Sequence, residues 1–260
     1  QAMRGSRYVK PFEARVILWE KTLNDLQDIM DNWLSMQGTW LYLEPIFSSE
    51  DICKQMPQEA KRFRTVDGTF RGAQSRVESE PGVIKIAQTD GLLEQLVKAN
   101  ELLNEIQKGL NDYLETKRVF FPRFFFLGND EMLEILSETK DPLKVQPHLS
   151  KIFEGISLLD FSKTLDILGM ISAEGENVPF SYDEIGEKKI NPQDSNGQVE
   201  QWVKEVEIVM RKTVALQIDK SMDAYAKEAV AEGHRETYVQ KWPGMVVLAV
   251  TCTFWTTEVE

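Results

Sequence analysis

The chain has 260 residues, of which 42 are acidic and 30 basic for a formal charge of -12, and 42% are hydrophobic. That is long enough for one elongated or two compact domains and apolar enough to bury a core, which excludes a disordered protein. The acidic balance argues against a nucleic-acid partner, because phosphate binding needs a concentrated cationic face. The largest basic groupings are only Lys61-Arg62 with Arg64 and Lys188-Lys189.

Cys53 and Cys252 lie far apart with no CxxC, which fits a reducing compartment and two free thiols in packed helices. The N-terminal ten residues hold no apolar run of a signal peptide, and Met245 to Val250 is far shorter than the roughly 20 residues of a membrane helix. No membrane partner is expected. Residues 1–6 read as a cloning remnant. The final Thr-Glu-Val-Glu stops inside a helical pattern without Gly, Pro or a basic last turn, as expected of a fragment.

In chain order, Val16, Trp19, Leu23, Leu26, Met30 and Trp33 step by three and four, predicting a helix packed along that stripe. Trp40 to Leu43 reads as a short aromatic segment ended by Glu44-Pro45. Ser48 to Asp51 supplies a cap with acids in the first turn, and Pro57 starts the next helix. That helix carries Phe63, Val66, Phe70, Ala73 and Val77 on one face and closes at Pro81-Gly82. A helix of about 29 residues, Gly91 to Val119, follows an Asp90 cap, carries Leu96, Ala99, Leu103, Ile106, Leu110 and Tyr113, and would span roughly 44 Å before Pro122.

Five phenylalanines then fall within seven residues: Phe120, Phe121, Phe124, Phe125 and Phe126. So many aromatics should be buried, and such a cluster marks a packing junction between rigid bodies rather than a catalytic centre. Together with Pro122, which prevents a continuous helix, they form a candidate interdomain joint and a place where bending could concentrate. A helix opening at Gly128 or Asn129 carries Asp130 and Glu131 in its first turn. Asp141-Pro142 and Gln146-Pro147 cut the next residues into short helices. Ile167 to Ser172 and Asn177 to Phe180, joined at Ala173 to Glu176, read as a small β-hairpin. A fourth stripe, Val199, Trp202, Val206, Val209, Thr213 and Leu216, predicts another long helix. The last helix starts at Trp242-Pro243-Gly244 and buries Val246, Val247, Val250, Phe254 and Trp255.

Chemistry is sparse. Neither GxxxxGK[ST] nor GxGxxG occurs, so neither common phosphate cradle is present. His148 and His234 lie in no metal-binding spacing and read as solvated or core-edge histidines. Asp194-Ser195-Asn196-Gly197 lacks the ligand spacing of a calcium loop. Paired carboxylates such as Glu174 with Glu176 and Asp183 with Glu184 are ordinary on the turns of so acidic a chain. No catalytic, cofactor or metal residues are assigned, and the chain is not expected to be an enzyme by itself.

The strings WLYLEPIFSSEDI (Trp40 to Ile52), RFFFLGNDEMLEILSETKDP (Arg123 to Pro142) and WPGMVVLAVTCTFWTTEVE (Trp242 to Glu260) resemble the linker region of dynein heavy chains, in style closer to the axonemal ones. VQPHLSKIFEGI and the GMISAEGENVPF hairpin are similar too, so the resemblance covers Val16 to Glu260. It implies a mainly α fold, an elongated arch of packed helical bundles with one small β-hairpin. A bundle over residues 7–120 would be followed by one over 121–260, with the hairpin near 167–180, ending before the first AAA+ module. The implied function is a lever that bends and straightens across an AAA+ ring, driven by ATP and Mg held in the parent ring. The implied partners are that ring, microtubules and the dynein intermediate and light chains, in the cytoskeleton of the cilium or flagellum axoneme. A non-motor helical scaffold or tether is the alternative. Glu174, Glu176, Asn177, Asp183 and Glu184 form a candidate surface for contacting the ring.

Overall fold

A computed structural model describes residues 3–5, 8–137, 141–227 and 235–259, excluding the side chains of 256–258. His234 lies outside the described residues. The chain divides into two compact units, Gln1–Glu115 and Thr116–Glu260. Helices dominate, with eleven α-helices and one three-stranded sheet among the described residues. The mainly α fold expected from the sequence is therefore observed.

In the first unit, α1 (Glu13–Ser48) is followed by α2 (Glu50–Gln55), α3 (Pro57–Ser79), α4 (Val83–Ala87) and the start of α5 (Leu92–Phe120). Contrary to the expected break, α1 runs through Pro45 for 36 residues. Proline deprives the carbonyl of Leu41 of a donor, but it sits in the last turn, where Leu43 and Phe47 are buried and hold it. Phe47 stacks on Phe63 of α3 with centroids 5.3 Å apart. Trp40 and Trp33 flank Phe70 at 4.7 and 6.0 Å, and the Trp40 indole donates to Asp67 at 3.1 Å.

The covered face of α1 is Ile29, Met36, Leu43 and Phe47. The stripe read from the sequence is not that face: Trp19, Leu23 and Met30 are exposed. Both sets have helical spacing, and periodicity alone cannot choose between two apolar faces on one helix. In α5 the expected face is correct from Leu96 to Leu110, but Leu114 rather than Tyr113 takes the last inward position.

The second unit begins at the end of α5. A 3-10 turn (Pro122–Phe126) leads to α6 (Asn129–Ser137). Glu131 accepts from the Gly128 N–H at 2.9 Å and pairs with Lys151. The bond from Lys151, then that from Gly128, holds the Glu131 carboxyl below its ordinary range. A second 3-10 stretch (Pro142–His148), started by Asp141 accepting from Leu143 N at 3.1 Å, leads to α7 (Leu149–Ile152). His148 is buried at the core edge, with Nε2 3.4 Å from Glu134.

The expected hairpin is β2 (Ile167–Ile171) with β3 (Asn177–Pro179), and the sequence reading missed a preceding strand, β1 (Leu158–Phe161). All three are antiparallel in the order β1-β2-β3, with Leu159 opposite Met170 and Met170 opposite Val178. Strand β2 needs Gly169, because a Cβ there would lie 2.6 Å from the Val178 carbonyl oxygen. The Gln146 amide donates to Leu159 O and accepts from Leu159 N, occupying β1 from the side. Next come α8 (Tyr182–Ile185), α9 (Val199–Ala224), α10 (Arg235–Lys241) and α11 (Gly244–Val259). Val246 and Val250 of α11 are buried against Tyr225 and Tyr238, whereas Trp255, expected inside, is exposed. Cys53 is half-buried, Cys252 is exposed, and both thiols are free.

Candidate functional site

The phenylalanine cluster divides rather than burying as a block. Phe121 and Phe124 are 1% exposed, but Phe120, Phe125 and Phe126 are 43%, 56% and 70% exposed. The cause is local geometry. A 3-10 turn has three residues per turn, so residues 121 and 124 share one side while 125 and 126 rotate to the others. The Phe121 ring meets Phe124 edge-on at 5.0 Å and Phe153 at 6.3 Å.

A set of polar contacts that the sequence reading did not identify borders this aromatic pair. Lys117, in the last turn of α5, pairs with Glu200 in the first turn of α9. One step on, the Lys204 ammonium stands 4.4 Å from the centroid of Phe120. Beyond Pro122, Arg123 Nε donates to Glu207 at 3.1 Å, its guanidinium lies 5.2 Å from the centre of Phe153, and Nη1 donates to the Ile152 carbonyl at 3.3 Å. Residues 117, 120 and 123 thus meet residues 200, 204 and 207 in the same order, a ladder that straddles the proline. The lower rung is nearly dry, with Lys117 and Glu200 side chains 14% and 6% exposed. The usable signal was Glu200 inside the apolar run Val199, Trp202 and Val203, because a charge at an inward position requires a partner.

Two of the four acidic residues around the hairpin are engaged within the second unit. Glu176 accepts from the Gly244 N–H at 2.9 Å, placing a carboxylate at the start of α11. Glu184 pairs with Lys220 of α9, and the Asn177 amide reaches Asp160 at 3.5 Å. All five residues, Glu174 and Asp183 included, are exposed. Contacts within the unit thus occupy Glu176, Asn177 and Glu184 of the five.

Two hydrogen bonds tie the start of α8 to the sheet and to α9. Tyr182 is buried and its hydroxyl donates to Ile167 O at 2.7 Å, and the Ser181 N–H donates to Thr213 Oγ1 at 3.3 Å. Burial pushes the Tyr182 phenol up to about 12. Asp166, in the turn before β2, is held below its ordinary range by hydrogen bonds from Thr164 and then Asn191. Between the sheet and α9 lies a cavity of about 630 Å³ lined by Met170, Val178, Met210, Val214 and Met245, with Arg123 at its rim. The lining is mostly apolar but also includes Glu154, Ser172, Glu176 and Arg211. Among the described residues no group of three His, Cys, Asp or Glu side chains could hold a metal ion.

The family described as dynein heavy chain, N-terminal region 2, matches residues 1–221. The chain belongs to the dynein heavy chains. It is 51% identical to human dynein axonemal heavy chain 3 over 259 residues, covering 100% of the chain and 6% of that relative. Human dynein axonemal heavy chain 12 is 49% identical over 260 residues, with 8% of its length covered, and rat dynein axonemal heavy chain 1 is 45% identical with 5% covered. The axonemal resemblance read from the sequence is thus borne out. This dynein heavy-chain region spans less than a tenth of the length of these relatives. No described helix is long and apolar enough to cross a membrane.

Proposed function

We propose that residues 1–260 act as the mechanical linker of an axonemal dynein, a lever that bends and straightens across the AAA+ ring of the parent chain. The supporting observation is the match to the N-terminal region of dynein heavy chains over residues 1–221, in a chain with no phosphate loop. The fold suits the task. Helix α5 has 29 residues and about 44 Å of length, and its final turn is fastened to α9 by the ladder from Lys117 to Arg123. On this reading ATP and Mg are bound and turned over in the ring, and the linker supplies geometry.

The partners of the proposal are the ring, the microtubule and the intermediate and light chains of the complex, in the cilium or flagellum axoneme. Hairpin contact with the ring falls to Glu174 and Asp183, exposed carboxylates outside the pairings described above. The experiment is a double charge reversal, Glu174→Lys with Asp183→Lys, in the full heavy chain, with microtubule gliding velocity as the readout. Altered velocity with unaltered folding supports the contact, and unchanged velocity removes it. The lever role is tested by pinning α5 to α9 through Lys117→Cys and Glu200→Cys crosslinking. A linker keeps gliding when only this fastened joint is locked, and stops when the ladder is broken and α5 no longer transmits force. A helical scaffold would leave velocity indifferent to both.

A further inference from the structure

Helix α11 begins without a cap of its own. The residue before it is Pro243, whose carbonyl accepts from Val246 N at 2.9 Å and Val247 N at 3.0 Å, but whose side chain offers no acceptor. The first turn, Gly244 to Val247, contains no acid. A helix start leaves its first N–H groups unpaired, and Ser, Thr, Asp or Asn at the preceding position ordinarily satisfies one of them. Here the acceptor comes from 68 positions earlier in the chain, where Glu176 Oε1 takes the Gly244 N–H at 2.9 Å.

That carboxylate stands on a well-fastened turn. The Ser172 N–H donates to Glu176 O at 2.9 Å and the Gly175 N–H to Ser172 O at 3.1 Å. Ser172 Oγ accepts from the Glu174 and Glu176 N–H groups at 3.2 Å each. Gly175 turns the chain at φ +85°, a left-handed value that a side chain would strain. The backbone of Glu176 is thereby tied to the end of β2 and the start of β3.

Packing between this turn and α11 is sparse. Helix α11 lies on α9, and its buried Val246 and Val250 face Tyr225 and Tyr238. Toward the sheet, Met245 is 56% exposed and shares with Met170 and Val178 the wall of the cavity of about 630 Å³. Among the described residues, the bond from Gly244 to Glu176 is the one hydrogen bond that joins the hairpin to α11.

We infer that Glu176 is a positioning residue, a borrowed cap through which the β2–β3 turn sets the start of α11. A displacement of the turn, including one applied at the exposed Glu174, reaches α11 through this bond. Release of the bond leaves the first turn of the helix uncapped and free to fray. The coupling belongs to the folded unit and does not draw on the lever role.

The experiment is hydrogen exchange of the full heavy chain, read by mass spectrometry on peptides covering residues 244–247. Glu176→Ala should raise exchange there by about fivefold, the worth of a lost helix cap. Glu176→Gln, whose amide oxygen accepts the same bond, should stay within about twofold of the native protein. Gly175→Ala, which strains the turn, tests the coupling itself. It should raise exchange in α11 when Glu176 is present and add nothing when Glu176 is alanine. A cap that merely finished the helix would leave Gly175→Ala silent at α11, and that result overturns the inference. So does a change under about twofold for Glu176→Ala, a Glu176→Gln variant as unprotected as the alanine one, or a Gly175→Ala effect that survives loss of Glu176. An equal rise over the buried stretch Val203 to Val209 of α9 would mark general loosening and overturn it as well.

Discussion

Replacing Lys117 by methionine tests the ladder at its most buried rung. The Lys117 and Glu200 side chains are 14% and 6% exposed, so the substitution strands a carboxylate where water cannot solvate it. One Glu200 oxygen already has no hydrogen-bond partner among the described residues, which leaves no spare donor to compensate. Breaking such a pair from one side costs about 3–5 kcal/mol. Changing both partners, Lys117→Met with Glu200→Leu, should return to within about 1–2 kcal/mol of the native protein, because apolar residues can replace a buried pair. Arg211→Ala supplies the contrast: Arg211 is 68% exposed and Glu207 keeps Arg123, so the loss should stay below about 1 kcal/mol. Native-state hydrogen exchange along α9 reads the effect locally. At 1.4 kcal/mol per tenfold, the single variant should exchange roughly 100 to 4,000 times faster. A loss under about 1 kcal/mol for Lys117→Met, or a double variant as unstable as the single one, would refute the argument.

Two further outcomes follow from burial. Phe124→Ala should cost about 3–5 kcal/mol while Phe125→Ala and Phe126→Ala cost less than about 1 kcal/mol, measured by urea unfolding; equal losses would contradict the one-sided 3-10 turn. The Tyr182 phenol sits at about 12 in the folded chain against an ordinary 10, so the folded state holds its proton longer than the unfolded state does. Its contribution is intact below pH 10 and is lost as pH rises to about 12. Tyr182→Phe should flatten that part of the stability curve, and an identical alkaline loss in both proteins would count against it.

Most helices could be read from the sequence because their signals are local. Three-and-four spacing, Pro57 at a helix start and a carboxylate at Glu131 each act within a few residues. What escaped was decided by partners distant in sequence. Strand β1 is four residues long and exists through its pairing with β2 and the Gln146 amide. The phenylalanine cluster promised uniform burial because hydrophobicity was counted without the turn type, and three residues per turn sends Phe125 and Phe126 outward while Phe120 ends α5 on an exposed side. For α1 the period was right but the face was wrong. The exposed stripe and the core stripe both have helical spacing, and packing on α2, α3 and α4 determines which is covered.

The proline break between α5 and α6 shows how contacts change the meaning of a local signal. Read alone, Phe121-Pro122 is a place to bend, since the helix cannot continue through it. In the folded chain, bending there would separate Lys117 from Glu200, lift Phe120 off Lys204, pull Arg123 from Glu207 and part the Phe121 and Phe124 rings. The first of these alone costs several kcal/mol, and so does uncovering a buried phenylalanine. A ladder that crosses the break therefore makes residues 117–124 one of the costliest places in this unit to flex. On the proposed lever reading, these contacts would direct bending to other sites and couple the end of α5 to α9.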